Sequence, residues 1–428
     1  MVSALDSMNR AKGMGLITMR VLMVHNRYQQ RGGEDAVVSS EANLLAANGI
    51  DVETLIEDND SITGLKGKID ASVSVFYGVR SQKRVSALLT RFKPDVVHVH
   101  NWFPTVSPAI FWTCKRAGIP VVNTLHNYRL LCVNATLFRN GGVCEDCIGS
   151  RLRAPGVIHK CYRGSRAGSA VATAGMLAHW TAGTWQHAVD RFIALSAFAK
   201  NKLVQGGLPE AKIVVKPNFV DPDPGPKAGG LGYYLFVGRL TEEKGIRTLI
   251  ECWRRGPDLP ILRILGGGPL EDEVREAAAS MTNVEWLGSK SADEVSDMMG
   301  SAEAILCPSL WYEGMPRVVI EAMAVGTPVI ASRLGSYPEM IEDGVSGVLF
   351  ESNDADALRR RILDLEERRA LAGMRQAARR KFESEYTGPR NLNLLLDIYR
   401  GVLPWGDRIT TPASTTRTNQ DQSESARR

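Results

Sequence analysis

Two glutamates, Glu313 and Glu321, stand eight positions apart in the stretch WYEGMPRVVIEA (311–322), on either side of a Gly314-Met315-Pro316 break. Proline suits the first turn of a helix, where its missing N–H has no intrahelical role, so Gly314 and Met315 are left in a loop with free backbone donors. Glu313 is then a loop carboxylate, while Glu321 lies more than a turn inside the helix. The break frees Glu313 from helical geometry, and the two carboxylates can serve two parts of one ligand with a helix N-terminus facing an anion between them. Taken singly, Glu313 reads as a turn residue and Glu321 as a surface helix residue; the pairing is what suggests a ligand.

Arg239 and Lys244 lie in VGRLTEEKG (237–245), directly after the apolar run YYLFVG (233–238). A planar fork and a point charge together suit a diphosphate. The alternative is two solvated surface charges. Gly32 and Gly33, in Arg31-Gly32-Gly33-Glu34, follow the run RVLMVHN (20–26) and open a helical pattern. Glycines there let backbone approach an anion at a helix N-terminus, though an ordinary strand-to-helix turn has the same composition. No complete G-x-G-x-x-G follows, which disfavours a dehydrogenase. His126, in NTLHNYR (123–129), follows another apolar run, and His25, His98, His100 and Asn101 also fall at the ends of such runs. Any one histidine in such a place is more often a structural hydrogen-bonder than a functional group.

The elements that must hold these residues are legible as alternation. RVLMVHN, DVVHVH (95–100), PVVNTLH (120–126), RFIALS (191–196) and KIVVKP (212–217) read as strands of one unit. YYLFVG, ILRILG (261–266), VEWLG (284–288), EAILCPS (303–309) and PVIAS (328–332) read as strands of a second. Apolar strands separated by helical patterns imply an α/β fold with parallel sheets covered on both faces, and in such sheets ligands bind beyond the carboxyl ends of the strands. The expected organisation is a flexible leader (1–18), a first domain (19–216) with a Cys-rich insertion (130–165), and a Pro/Gly-rich hinge (217–230). A second domain (231–385), a C-terminal helix (386–405) and a polar, disordered tail (406–428) follow. A chain of 428 residues supports two cores, and a net charge of +5 is too mild to indicate nucleic acid. The uncharged segment 167–189 is long enough to span a bilayer, but His179, Gln186 and His187 make it a buried or interfacial helix.

Taken together, the turn at Gly32 and Gly33, ALSAFAKNKLV (194–204), PNFVD (217–221), GRLTEEKG (238–245), LGGGP (265–269) and E-G-x-P-x4-E (313–321) resemble the retaining glycosyltransferases of family 4, from about residue 19 to residue 403. The resemblance implies the GT-B fold, two Rossmann-like domains facing across a cleft, with the C-terminal helix crossing back. It implies a nucleotide diphosphate sugar donor and a saccharide or lipid-linked acceptor. It gives Glu313 the hydroxyls of the transferred sugar, Glu321 the ribose, and Arg239 and Lys244 the leaving diphosphate. Backbone N–H groups around Arg317 and Val318, with Gly314 and Met315, add to the anion site, and His126 faces the donor sugar. No catalytic cofactor is expected, and the implied setting is surface polysaccharide or glycolipid assembly. A sugar-nucleotide epimerase of the same fold and a non-catalytic sugar-nucleotide-binding subunit are the competing readings. Asp58-Asn59-Asp60 lacks the context of a metal-binding D-x-D and reads as an acidic turn.

Cys132, Cys144, Cys147 and Cys161 have the spacing C-x11-C-x2-C-x13-C, which fits a structural zinc site as well as four reduced thiols. The expected location is the cytoplasm, where disulfides are disfavoured. Between Arg151 and Lys202, eight Lys or Arg residues accompany one acid, Asp190, with Met176, Leu177, Trp180 and Trp185 interleaved. This fits either a face resting on the inner surface of an anionic cytoplasmic membrane or a solvated face over a buried helix.

Overall fold

The computed structural model describes residues 19–28, 32–62, 64–368 and 371–404. The leader 1–18, Arg31 and the tail 406–428 lie outside the described residues. The first sheet contains β1 (Arg20–Arg27), β2 (Asp51–Asp58), β3 (Val96–Val99), β4 (Val121–Leu125), β7 (Arg191–Ala194) and β8 (Ile213–Val215), all parallel, in the order β2-β1-β3-β4-β7-β8. Between β4 and β7, the short strands β5 (Phe138–Arg139) and β6 (Gly142–Val143) pair as an antiparallel hairpin. The second sheet repeats the plan: β9 (Tyr233–Val237), β10 (Ile261–Leu265), β11 (Val284–Trp286), β12 (Ala304–Cys307), β13 (Val329–Ser332) and β14 (Gly347–Phe350), in the order β11-β10-β9-β12-β13-β14. Strands β3, β4, β12, β13 and β14 are buried along their whole length, as a sheet covered by helices on both faces requires. Chain order reverses between β1 and β3 in one sheet and between β9 and β12 in the other. These are the switch points where a parallel sheet opens a crevice for ligands.

The segment 217–230 has no regular secondary structure, as its prolines and glycines dictate, but it is tied down. Val220 bridges Thr387, and the Arg379 guanidinium holds both Asp223 oxygens, at 2.7 and 2.6 Å. The helix Gly388–Arg400 returns to the first domain, burying Leu392, Leu395, Leu396 and Tyr399 with Val21, Met23, Leu45 and Phe219. The chain therefore crosses between domains twice, side by side.

Two glycines fix the loops at the second crevice. Gly245 has φ +75°, and a Cβ there would lie 1.8 Å from the Pro308 carbonyl oxygen, so the turn carrying Lys244 can press against the end of β12 only with glycine. Gly266, at φ +127°, would meet the Gly238 carbonyl oxygen at 1.9 Å in the same way.

The uncharged segment 167–189 is not a span: among the described residues, no helix is long and apolar enough to cross a membrane. Its main helix, Arg166–Thr181, buries Ala172, Met176 and His179. One part of the membrane-face expectation is corrected here. Trp185 is fully buried against Trp102 and Phe111, and Met176 lies in the same core, so these side chains pack inward instead of presenting a face to lipid.

Candidate functional site

Strand β12 ends at Cys307, and the loop that follows brings Glu313 back over the strand ends. Lys244 Nζ donates to Glu313 Oε1 at 2.6 Å, and Ser309 Oγ donates to the same oxygen at 3.1 Å. Ser309 is joined in turn to the Tyr337 hydroxyl at 2.9 Å. Both bonds fall on Oε1. Among the described residues Oε2 accepts none, so this nearly buried carboxylate keeps one oxygen for a ligand. Burial raises the Tyr337 phenol well above its usual value and pushes the Cys307 thiol up to about 12, so both stay protonated behind Glu313.

Pro316 forms the N-cap of the helix Arg317–Ala324, so the helix begins one residue later than the proline itself. Its first-turn N–H groups, including those of Arg317 and Val318, have no acceptor within the helix. Arg317 pairs with Glu321 at 3.1 Å across one helical turn. Arg239, half exposed at the end of β9, lies 3.6 Å from Glu243. Lys244 and Glu313 are thus brought into contact, while Arg239 and Glu321 sit near them with other partners.

The glycine turn faces this group from the first domain. A Cβ on Gly33 would lie 3.7 Å from Arg317 Cδ. Ser196 Oγ donates to the Gly314 carbonyl at 2.9 Å, and Asn218 Nδ2 donates to the Met315 carbonyl at 3.0 Å. Gly314 and Met315 therefore serve as one of the places where the two domains touch. The Cys-rich insertion leans on the same segment: Glu145 accepts from Lys202 at 2.7 Å and from the Tyr312 hydroxyl.

His126 lies beside Gly314, on which a Cβ would stand 3.5 Å from the His126 carbonyl oxygen. Its Nε2 is 3.0 Å from His100 Nδ1, and the two rings stack with centroids 5.3 Å apart. Burial drives His126 down to about 3, so the ring is neutral at physiological pH. His100 Nε2 is 3.5 Å from Glu41 Oε2, long for a hydrogen bond, and neither atom has a hydrogen-bond partner among the described residues. A carboxylate facing Nε2 favours the proton there. His100 Nδ1 then accepts from His126 Nε2–H, and the tautomer assigned by this network leaves His126 Nδ1 bare. Glu41 is itself held by Lys216 Nζ at 2.5 Å, which also reaches Asn391 Oδ1 at 3.3 Å.

Among the described residues, Glu41, His98 and His100 are the group whose donor atoms gather as a metal would need. Their chemistry does not fit one. An ammonium already occupies Glu41, and His98 uses both nitrogens, on the Tyr399 hydroxyl and Thr124 Oγ1, each at 2.8 Å. The four cysteines do not gather in this way: the Sγ atoms of no three lie within 4.8 Å of one another. Burial raises the Cys161 thiol and pushes Cys147 to about 11. Asp58 caps its own turn, accepting from the Asp60 N–H at 2.9 Å, as expected of an acidic turn.

Sequence reasoning passed over Glu34. It sits directly after the glycine pair and accepts from Asn101 Nδ2 at 3.2 Å; burial, then the charge of Asp35, raise its carboxyl to about 8. Its place at a helix N-terminus was the available signal. The Glu41–Lys216 pair, separated by 175 residues, left none.

Two family patterns match successive parts of the chain. The one described as Glycosyltransferase Family 4 covers residues 31–224, and Glycosyl transferases group 1 covers residues 221–382. The chain belongs to glycosyltransferase family 4. Its relatives include the putative colanic acid biosynthesis glycosyltransferase WcaL of Escherichia coli, 34% identical over 218 residues, 46% of this chain and 53% of WcaL. Another is the amylovoran biosynthesis glycosyltransferase AmsK of Erwinia amylovora, 33% identical over 220 residues, again 46% and 53%. The chain spans about half the length of the curated relatives it matches. Among solved structures, HepE of Anabaena in complex with UDP and glucose superposes with a TM-score of 0.62 at 17% identity, over 89% of this chain and 98% of HepE. At that identity the likeness establishes the fold, which is GT-B. Within this family 4 chain, the glycine turn of the first domain lies against Arg317 of the second, and Lys244 and Glu313 meet at the β9/β12 switch point.

Proposed function

We propose that the chain transfers a glycosyl group from a nucleotide diphosphate sugar to an acceptor hydroxyl with retention of anomeric configuration, in surface polysaccharide or glycolipid assembly. The observation that carries this reading is the Lys244–Glu313 contact at the β9/β12 switch point, facing the glycine turn of the other domain. The names of WcaL and AmsK place those relatives in colanic acid and amylovoran biosynthesis. In this reading Glu313 Oε2 takes a sugar hydroxyl and Glu321 the ribose. Lys244, Arg239 and the N–H groups of Arg317 and Val318 take the diphosphate as negative charge develops on it. Neutral His126, fixed by His100, contributes a hydrogen bond without adding charge beside an oxocarbenium-like centre. The acceptor, a saccharide or a lipid-linked one, enters from the first domain, and the work is done at the inner face of the cytoplasmic membrane.

Incubation with UDP-, GDP- and dTDP-sugars plus a lipid extract, with released nucleotide diphosphate as the readout, tests it. Release from one donor, surviving chelator and lost in Glu313→Gln, is expected. Nucleotide binding with an acceptor-independent interconversion of the sugar would replace transfer by epimerisation.

Structural zinc at the cysteine insertion remains a proposal carried by spacing, and binding would require the four side chains to close on the ion. Metal analysis of the purified chain is expected to give one zinc per molecule, lowered in Cys144→Ser and Cys147→Ser. A metal-free, fully folded protein would leave four protonated thiols as the correct reading.

A further inference from the structure

The helix Gly64–Tyr77 is apolar on both sides. Its inner side buries Ala71 and Val75, the latter against Gly175 of the helix Arg166–Thr181. Its outer side carries Ile69, Val73, Phe76 and Tyr77, at the i, i+4, i+7, i+8 spacing of one helical face, and these side chains are 39–57% exposed. Val79, at the start of the next helix, is 54% exposed. Beside them the outer face of the Arg166–Thr181 helix shows Ala170, Ala174 and Ala178, small and uncharged. A groove of about 270 Å³ lies between the two, lined by Phe76, Tyr77, Trp112, Arg116 and Ala178. A single exposed apolar residue is ordinary, whereas a contiguous stripe of this size on a helix marks an interaction surface.

The surroundings are predominantly cationic, with exposed Asp70 the one acid on the helix itself. Exposed Arg80 and Lys83 lie on the next helix in the chain, Arg116 lines the groove, and Lys115 and Arg166 are exposed on the helices Ala109–Arg116 and Arg166–Thr181. From residue 148 to 189 there is no acid, and from 64 to 92 Asp70 alone. A second copy of this chain, docking the same face about a twofold axis, would set these cations against themselves. An anionic headgroup layer complements them, while the stripe enters the acyl boundary.

We propose that this face, the outer stripe of the Gly64–Tyr77 helix with its rim of Arg80, Lys83 and Arg116, is the surface by which the first domain lies on an anionic lipid bilayer. It differs from the Trp180–Trp185 face that the sequence offered, because Trp185 packs inward and Trp180 is partly buried against the same core, and it does not depend on the transferase reading. A helix lying in the interfacial plane needs a large apolar face and flanking cations, and both are present here.

Cosedimentation of the full chain with vesicles tests it. Binding to vesicles containing phosphatidylglycerol is expected, weak on phosphatidylcholine alone and falling as salt is raised. Val73→Ser with Phe76→Ser, both exposed and remote from Glu313 and Lys244, is expected to weaken binding at least about tenfold, with unchanged melting and unchanged turnover of a soluble acceptor. Arg80→Glu with Lys83→Glu is expected to abolish the preference for the anionic lipid. Absence of binding to the anionic vesicles, or binding indifferent to both double variants, overturns the proposal. So does a concentration-dependent dimer in sedimentation that the Val73/Phe76 variant removes. Donor turnover persisting without vesicle binding would reject the docking surface and keep the proposed function.

Discussion

Lys244→Ala is expected to lower kcat by about 10²-fold or more, the scale seen when one preorganised group that meets developing charge is removed. The lysine is fixed before any ligand arrives. It ends a short turn, Glu242–Lys244, sealed by left-handed Gly245 beneath Pro308, and its ammonium lies 2.6 Å from Glu313 Oε1. A cation so placed can do two things: neutralise the leaving diphosphate, and hold the carboxylate that reads the sugar. The roles separate in a double-mutant comparison. If holding Glu313 were the whole of it, Lys244→Ala and Glu313→Gln would be equally damaging and the double variant no worse than either. With a direct role at the diphosphate, Lys244→Ala loses more kcat than Glu313→Gln does, and raising donor concentration does not restore it. Melting temperature should hardly move, because the pair is partly solvated at Lys244, 22% exposed, and such a pair contributes little to stability. A large fall in melting temperature with a proportionate loss of activity would make Lys244 structural and remove it from the mechanism.

How this group could be read ahead of the structure depends on where its information lies in the chain. Glu313, Gly314, Pro316 and Glu321 are close in sequence, and proline chemistry alone separates the loop from the helix. Ten of the twelve principal strands announce themselves as β-branched runs. The two that do not are edges: β2, DVETLIED, interleaves charged with apolar residues, and β14, GVLF, opens on glycine and has a single β-branched residue. What sequence hides is pairing at a distance. Nothing local marks Tyr337 as the partner of Ser309, or Lys216 as the partner of Glu41. Tryptophans among cations mimic a lipid-facing surface, yet Trp185 is packed inward by its neighbours, while Val73 and Phe76, in an unremarkable stretch, face outward. Burial, which decides these cases, is a property of the whole fold.

The largest effect on stability is expected at Lys216. Its ammonium and the Glu41 carboxylate are both completely buried, 2.5 Å apart, and Glu41 also lies within 4 Å of His98 and His100. Burial alone would raise the Glu41 carboxyl, but Lys216 and then His98 more than offset it, and its value is lowered. Lys216→Met removes that offset and leaves a carboxylate with no full charge opposite it, at a cost of about 3–5 kcal/mol in denaturant unfolding near neutral pH. Replacing both partners, Lys216→Met with Glu41→Leu, is expected to recover much of the loss, because desolvation of two ions disappears with their attraction. The pH dependence carries the sign. In the wild type, Glu41 and the buried neutral histidines His98, His100 and His126 all have lowered values, so their contribution is complete above the unfolded values and is lost as pH falls. In Lys216→Met the Glu41 carboxyl is raised instead. The variant is then penalised most above the unfolded carboxylate value and least below it, so the gap between the two proteins narrows on acidification. Unfolding measured at neutral pH and again near pH 5 reads this directly; a gap that widens with acid would mean Glu41 is already neutral and the pair is not ionic. The same variants bear on the cleft, since Glu41 orients His100 and His100 orients His126. The double replacement, stable but without the carboxylate, is expected to keep its fold and lose part of kcat, because nothing then fixes which nitrogen of His126 carries the proton.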